Sequence, residues 1–162
     1  MLRILFAALA VAALAITPAS AHEVKLGDLT LTDLWTRATP PQAPTAGGYL
    51  TIANSGKEPD KLIAASSPLS ASAQLHIMAM KDGVMTMRPL EGGIEIPAGG
   101  KVTLEPDGLH IMFIAPTETL KEGGKLPVTL TFEKAGKIDT FLHILAIGAK
   151  GPNDKPMTNM KM

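Results

Sequence analysis

Histidine and methionine residues are concentrated in one stretch of this chain, from His76 to Met112. The chain contains four histidines and nine methionines, and two of the histidines and five of the methionines fall in this stretch. The tetrapeptide Leu-His-Ile-Met occurs twice there, at residues 75–78 and 109–112. Neutral imidazole and thioether sulfur together favour Cu(I). The stretch therefore predicts a soft-metal site whose ion is copper.

The distribution of methionine favours metal binding over core filling, which is the ordinary role of this flexible apolar side chain. After the initiator, no methionine precedes Met78, whereas a core filler would be scattered through the chain. The chain also has no cysteine, so it has neither a disulfide nor a thiolate ligand. A blue-copper electron-transfer site needs a cysteine thiolate and is thereby excluded.

Residues 1–21 have the features of a secretory signal peptide. Arg3 gives a positive start, residues 4–16 form an almost unbroken apolar run, and residues 19–21 match a small-residue cleavage site. The apolar run is shorter than the roughly 20 residues of a membrane-spanning helix, so an uncleaved anchor is the weaker alternative. We expect cleavage after Ala21 and export to the periplasm, with no stable membrane insertion.

The rest of the chain is long enough for one domain with its own core. We expect this domain at residues 22–148 and a flexible Met-containing tail at residues 149–162, where no apolar period continues. The formal net charge is zero and aromatic residues make up 4% of the chain, which argues against a nucleic-acid partner. We expect a monomer.

Strand-like segments alternate with turns through the expected domain. The chain has 15 glycines and 13 prolines, and no segment keeps a helical period over three turns. Roughly eight or nine short strands are expected. This pattern indicates an all-β fold, an antiparallel β-sandwich or barrel with Greek-key connections.

A hairpin is predicted around Asp82-Gly83, a strong signal for a two-residue turn. Its register would place two methionine pairs directly opposite each other. Opposed side chains lie about 5 Å apart at Cβ, close enough for two of them to bind one ion. The pairs are Met80 with Met85 and Met78 with Met87. Because side chains alternate between faces along a strand, His76 shares this face, whereas Leu75, Ile77 and Val84 would face the core.

The second tetrapeptide predicts a strand with the same division of faces. His110 and Met112 are two residues apart and share one face, while Ile111 and Phe113 would point into the core. Residue types and spacing leave open which methionine of the hairpin completes the site. The candidates are Met78, Met85 and Met87.

Three segments, at residues 35–58, 75–114 and 120–136, resemble the periplasmic copper chaperones of the PCu(A)C family, which are copper chaperones for the CuA site of cytochrome c oxidase. The shared motif is a histidine, a methionine eleven residues later and a distant His-x-Met. The resemblance implies a cupredoxin-like β-barrel that holds one Cu(I). It implies as ligands His76, Met87, His110 and Met112.

The resemblance also implies a function and partners. Members of that family deliver copper for the assembly of cytochrome c oxidase, alone or with a Sco-type thiol protein, so we expect a carrier and not an enzyme. For this chain we accordingly expect a Cu(I)-binding metallochaperone. Its expected partners are the copper-site subunit of cytochrome c oxidase, a Sco-type thiol protein, or both.

Further histidines and methionines lie outside the main stretch. After cleavage, His22 would be the first residue, where it could chelate Cu(II) through its amine and ring; the alternative is an ordinary exposed histidine. The methionines of the tail would offer a further copper site, or occur there by chance. They are Met157, Met160 and Met162.

Two other functions stay open on the residues alone. An exported copper enzyme would pair His22 with His143 in a Cu(II) site; otherwise His143 is a structural residue of its strand. The chain could also be a metal-free structural β-domain. No Ser-His-Asp order, paired-carboxylate pattern or Gly-rich phosphate loop in the sequence supports a hydrolase or a transferase.

Overall fold

Eleven β-strands make up the fold in the computed structural model of the chain, which describes residues 22–154. Their bounds are β1 Val24–Leu26, β2 Leu29–Arg37, β3 Thr45–Asn54, β4 Asp60–Ser66, β5 Ser70–Lys81, β6 Val84–Pro89, β7 Ile94–Ile96, β8 Lys101–Leu104, β9 Leu109–Pro116, β10 Lys125–Phe132 and β11 Gly136–Leu145. The all-β prediction is confirmed. The structure has eleven strands where roughly eight or nine were expected. Within residues 22–154, no helix is long and apolar enough to cross a membrane.

All strands belong to one continuous sheet. Its order is β6-β5-β9-β3-β2-β11-β10-β4-β7, with β1 added beside β2 and β8 beside β3. Neighbouring strands are antiparallel except β11 and β2, which run parallel. Several neighbours in space, such as β5 and β9, are far apart in the chain. The connections therefore cross over in the manner of a Greek key.

The sheet encloses one apolar core to which both of its halves contribute. Ile52 of β3, Leu62 of β4 and Ile96 of β7 are fully buried in it. Burial of each such side chain stabilises the fold by about 1.5–3 kcal/mol. β5 and β9 enter the same core through Leu75 and Ile111, which are directly opposed. Because faces alternate along a strand, the residues that flank this pair, including both histidines, lie on the outer face.

The hairpin of β5 and β6 extends past the end of the core. β6 is an edge strand of the sheet, and all six of its residues are exposed. Val84, at its start, is 61% exposed, so the prediction that Val84 faces the core is wrong. Alternation assigns Val84 to the inner face of the strand, but at the tip of the hairpin that face lies beyond the core.

Ala149, just after the last strand, packs onto the sheet. Ala149 is buried in a small cluster with Trp35 and Tyr49. The carbonyl of Ala149 accepts a 2.6 Å hydrogen bond from Nε of Arg37. The expected tail therefore begins with an anchored residue, Ala149, and its flexibility stays a prediction. The tail methionines Met157, Met160 and Met162 lie outside the described residues.

Candidate metal site

The register of the β5–β6 hairpin is the predicted one. Met80 lies opposite Met85, and Met78 lies opposite Met87. Asp82 and Gly83 of the turn both have positive φ, at 51° and 78°, as a type I′ turn requires. The predicted row of methionines on one face of the hairpin is thus confirmed.

The two tetrapeptides meet as neighbouring antiparallel strands. His76 of β5 and His110 of β9 are directly opposed, and the centroids of their rings lie 5.8 Å apart. This pairing was not predicted from the sequence. The repeat itself carries the signal, because two copies of Leu-His-Ile-Met can pair about their histidines. The arrangement has a local two-fold character, with Met78 and Met112 at opposite ends of the histidine pair.

Each histidine of this pair has one ring nitrogen engaged within the protein. Nδ1 of His110 lies 3.0 Å from the carbonyl of Gly108, which can only accept, so Nδ1 carries the proton and Nε2 keeps its lone pair. Nε2 of His76 lies 2.9 Å from Oε1 of Gln74, which makes Nε2 the donor. This leaves Nδ1 of His76 with the lone pair. Hydrogen bonds of this kind fix the tautomer and the orientation of a metal-binding histidine.

The Nδ1 atom of His76 gives the clearest indication that this histidine binds a metal ion. Nδ1 of His76 is buried and has no hydrogen-bond partner among the described residues. A buried, unsatisfied polar atom destabilises the fold by about 1–3 kcal/mol unless something binds it. His110 is itself only 3% exposed. The pair therefore presents two sheltered imidazole nitrogens, which suit a soft or borderline metal ion.

The protonation of His76 favours metal binding. Burial, and secondarily the neighbouring His110, lower the pKa of His76 below its ordinary value of 6.5. The neutral imidazole is the form that binds metals. At pH 7 the ring is accordingly ready to act as a ligand without losing a proton.

The methionines around the histidine pair differ in exposure. Met112 is 9% exposed and lies between Gln74 of β5 and Gly47 of β3. A side chain at Gly47 would collide with the ring of Tyr49, so the glycine leaves room for that ring. Met78 is half-buried, whereas the other hairpin methionines are exposed. The exposed ones are Met80, Met85 and Met87.

Carboxylates do not take part in this arrangement. Across residues 22–154, no group of three or more histidine, cysteine, aspartate or glutamate side chains comes together in a form that could hold a metal. Met78 and Met112, each two residues after a histidine of the pair on the same face, offer thioether sulfur. Two imidazoles with thioether sulfur fit Cu(I).

His22 is far from this site in the sheet. Its ring centroid lies 5.6 Å from that of His143 on β11, and β11 is three strands away from β9. Burial, and then the charges of His143 and Lys125, lower the pKa of His22. The structure thus pairs the four histidines two by two and does not gather them around one ion.

Two residues that support the site were not predicted from the sequence. They are Gln74, which holds Nε2 of His76, and Gly108, which holds Nδ1 of His110. Each lies two residues before its histidine. Gln74 could have been found from strand alternation, which places it on the same face as His76. The carbonyl of Gly108 belongs to a turn, and residue types give no signal for it.

Comparison with known families gives one match that covers most of the chain. Residues 29–144 match the model of the LpqE-like family, described as "Putative lipoprotein LpqE-like". A curated protein of Leifsonia xyli subsp. xyli (strain CTCB07), "Putative lipoprotein Lxx21020", is 37% identical over 92 residues. That alignment covers 54% of this chain and 55% of the relative. The chain thus matches about half the length of this curated relative.

Solved structures with the same fold include copper proteins. The "Copper-bound PCuAC domain from PmoF2" is 30% identical with a TM-score of 0.66, and the match covers 77% of this chain and 98% of that one. The "Apo PCuAC domain from PmoF1" is 31% identical with a TM-score of 0.66, over 77% and 99% of the two chains. "CuI-DR1885" from Deinococcus radiodurans is 27% identical with a TM-score of 0.56, over 78% and 83%. These likenesses confirm the cupredoxin-like fold.

Proposed function

Because the chain belongs to the LpqE-like family, we propose that it is an exported Cu(I) metallochaperone that delivers copper for the assembly of cytochrome c oxidase. Its structural neighbours include PCuAC domains, and two of them are described with copper bound. These relationships support a copper-binding chaperone, and they indirectly favour a carrier over an enzyme. The opposed His76 and His110, each with one free ring nitrogen in a sheltered place, are the observation that carries the proposal.

The proposed ligands are those of the family motif. His76, His110 and Met112 lie together across β5 and β9. Met87 on the neighbouring strand β6 supplies the fourth donor, and Met78, which lies opposite Met87, is the alternative. A set of two imidazoles and two thioethers carries no charge, so it holds Cu(I) without the strong attraction of a thiolate.

The exposure of the hairpin suits a protein that gives its ion away. Met87 is 48% exposed on an edge strand, so an acceptor can approach the ion from that side. Thioethers are not converted to disulfides in an oxidising compartment, where free thiols would be. A thiol acceptor binds Cu(I) more strongly than thioethers do, and transfer to it is therefore favourable.

The proposed location and partners follow from the leader and the family. The family description as lipoprotein-like supports an exported, envelope-associated protein. We propose the periplasm as the compartment, with cleavage after Ala21 and the copper-binding domain from residue 22 onward. The proposed acceptors are the copper-site subunit of cytochrome c oxidase, a Sco-type thiol protein, or both.

Anaerobic titration with Cu(I) against a chromophoric chelator tests the site. The wild-type protein should take up one Cu(I), and His110→Ala or Met112→Leu should weaken binding at least tenfold, since loss of a supporting contact alone has about that effect. Met80→Leu is the matched control, because Met80 is 65% exposed and lies farther along the same face. Equal affinities for the wild type and the two ligand variants would show that the site is elsewhere.

Transfer of copper tests the carrier role. Cu(I)-loaded protein is mixed without oxygen with the copper-free soluble domain of the oxidase subunit, or with a Sco-type thiol protein. The acceptor's copper is measured after the two proteins are separated. We expect most of the copper on the acceptor. Copper that stays on the loaded protein with both acceptors would contradict delivery while leaving copper binding intact.

A further inference from the structure

A second pair of histidines lies near β11, three strands away from β9 in the same sheet. His22 precedes β1, and His143 is on β11; their ring centroids are 5.6 Å apart. Both line a cleft of about 330 Å³, which Asp33 and Trp35 also line. Metal–nitrogen bonds of about 2.0 Å place the centroids of two imidazoles on one ion roughly 4.5–6.3 Å apart. The observed separation falls within this span.

The ring of His22 is held by contacts with β11. Nε2 of His22 lies 3.0 Å from the hydroxyl of Thr140, and the ring centroid lies 4.1 Å from that of Phe141. With Nε2 engaged, Nδ1 is the nitrogen available to a metal. Nδ1 is also the ring nitrogen nearer the backbone, so it can form a six-membered chelate with the α-nitrogen of the same residue. That nitrogen is a free amine only in a chain that begins at His22.

We propose that, after removal of the leader, the α-amine and Nδ1 of His22 and the imidazole of His143 bind one Cu(II) ion. This site is separate from the Cu(I) site, and it rests on the proposed cleavage after Ala21. Three nitrogen donors without thioether or thiolate suit Cu(II), which favours tetragonal nitrogen and oxygen coordination. Thr140, as the acceptor for Nε2–H of His22, would fix the ring in the binding orientation.

The charges around the cleft act in opposite directions. Asp33 contributes a negative charge at the cleft, which favours a divalent cation. Lys125 is the cross-strand partner of His143, and its Nζ lies 4.3 Å from the centroid of Phe141. The positive charge of Lys125 weakens cation binding. Lys125→Gln should therefore tighten Cu(II) binding several-fold.

The test uses protein that begins at His22, in a His76→Ala/His110→Ala background that silences the main site. Cu(II) is titrated against a competing chelator and followed by EPR. We expect one Cu(II) with a tetragonal spectrum and nitrogen hyperfine structure. His143→Ala should weaken binding at least tenfold, and so should five extra residues before His22, which move the new amine beyond chelating reach of the ring. Far-UV circular dichroism checks that each variant is folded. If His143→Ala is not folded, His143→Gln is used in its place.

Two results would overturn the proposal. Unchanged Cu(II) affinity in folded His143→Ala or His143→Gln would mean that His143 is not a ligand and that the ion is held by the amino-terminal residue alone. Unchanged affinity in the extended protein would mean that the amine is not a ligand. Failure here is distinct from failure of the proposed carrier function, because the Cu(I) titration depends on His110 and Met112 and does not require a free amine at His22.

Discussion

The orientation of the His76 ring depends on a single neighbour. Gln74 accepts from Nε2 of His76 at 2.9 Å and so leaves Nδ1 as the buried, unpartnered nitrogen. We expect Gln74→Leu to weaken Cu(I) binding by about 10-fold, because partners of metal-binding histidines contribute about 10–100-fold to affinity. The measurement is the anaerobic chelator competition. Gln74→Glu keeps an acceptor oxygen and should restore most of the affinity.

A structural role alone would give a different pattern at Gln74. Ser72→Ala is the matched control, since Ser72 is exposed and lies two residues earlier on the same face of β5. It should bind Cu(I) like the wild type. Equal losses in Gln74→Leu and Gln74→Glu, with unchanged folding, would contradict the positioning role.

The choice between Met78 and Met87 is the second question at the residue scale. The two are directly opposed on β5 and β6. Met78 occupies, relative to His110, the place that Met112 occupies relative to His76. Met87 follows the family motif. We expect Met87→Leu to weaken Cu(I) binding at least tenfold, and Met78→Leu to change it less than threefold, in the same titration. The reverse result would identify Met78 as the fourth ligand. The ion would then be bound by two symmetric His-x-Met pairs, one on β5 and one on β9.

Local rules predicted part of this site and left the rest open. The Asp82-Gly83 turn fixes the hairpin register within a few residues, so the pairing of Met78 with Met87 could be read from the sequence. The pairing of His76 with His110 could not, because it joins strands separated by more than thirty residues and depends on the order of strands in the sheet. The free nitrogen of His76 depends in turn on the side-chain conformation of Gln74.

At the scale of elements, one carboxylate ties β4 to the turn between β10 and β11. Asp60, at the start of β4, is 6% exposed and accepts hydrogen bonds from the backbone N–H groups of Lys61, Lys134 and Ala135. Burial raises the pKa of Asp60, but these donors and the charge of Lys134 outweigh it and hold the pKa below its ordinary value of 3.8. The ionised carboxylate therefore stabilises the junction of three strands.

The pH dependence of stability follows from this lowered pKa. Because the folded state holds the proton less tightly than the unfolded state, the contribution of Asp60 is complete above pH 3.8 and is lost as the pH falls through the folded pKa. We expect Asp60→Asn to lower the free energy of unfolding by about 1–3 kcal/mol at pH 7. Urea unfolding should show this difference shrinking below pH 3.8.

The exposed Glu95 of β7 provides the comparison for Asp60. Glu95→Gln should leave the free energy of unfolding at pH 7 nearly unchanged. If Asp60→Asn were as stable as the wild type at pH 7, or if its deficit did not depend on pH, the carboxylate would not hold the junction.

The limits of prediction from sequence are also visible in the elements. Alternation identified β5, β9 and the inner positions Leu75, Ile111 and Phe113, which are buried as expected. It failed for Val84, because alternation gives the face of a strand but not where the core ends. Crossover connections fold β5 against β9, and no local pattern in either strand specifies its partner.

At the scale of the whole molecule, the two histidine pairs share one face of one sheet. Register partners on neighbouring strands share a face, as do residues two apart on a strand. The register pairs His143 of β11 with Trp35 of β2, and Trp35 with Tyr49 of β3. Gly47, two residues before Tyr49, is paired with Met112 of β9. The packed rings of Trp35 and Tyr49, whose centroids are 4.5 Å apart, lie between the pairs. This rigid separation predicts that the two copper ions bind independently.

Copper should also stabilise the whole fold, because the main site joins strands that are buried in the core. A ligand that binds only the folded state adds about 2.7 kcal/mol to the free energy of unfolding at 100 times its dissociation constant. His110 is buried on β9 and lies opposite His76 of β5, so copper bound by both histidines would link these two strands. Anaerobic urea unfolding with excess Cu(I) should show this gain, and removal of the copper by a chelator should reverse it. His110→Ala should be folded and show little gain, while a wild-type protein with the same stability with and without Cu(I) would contradict a site formed by the folded sheet.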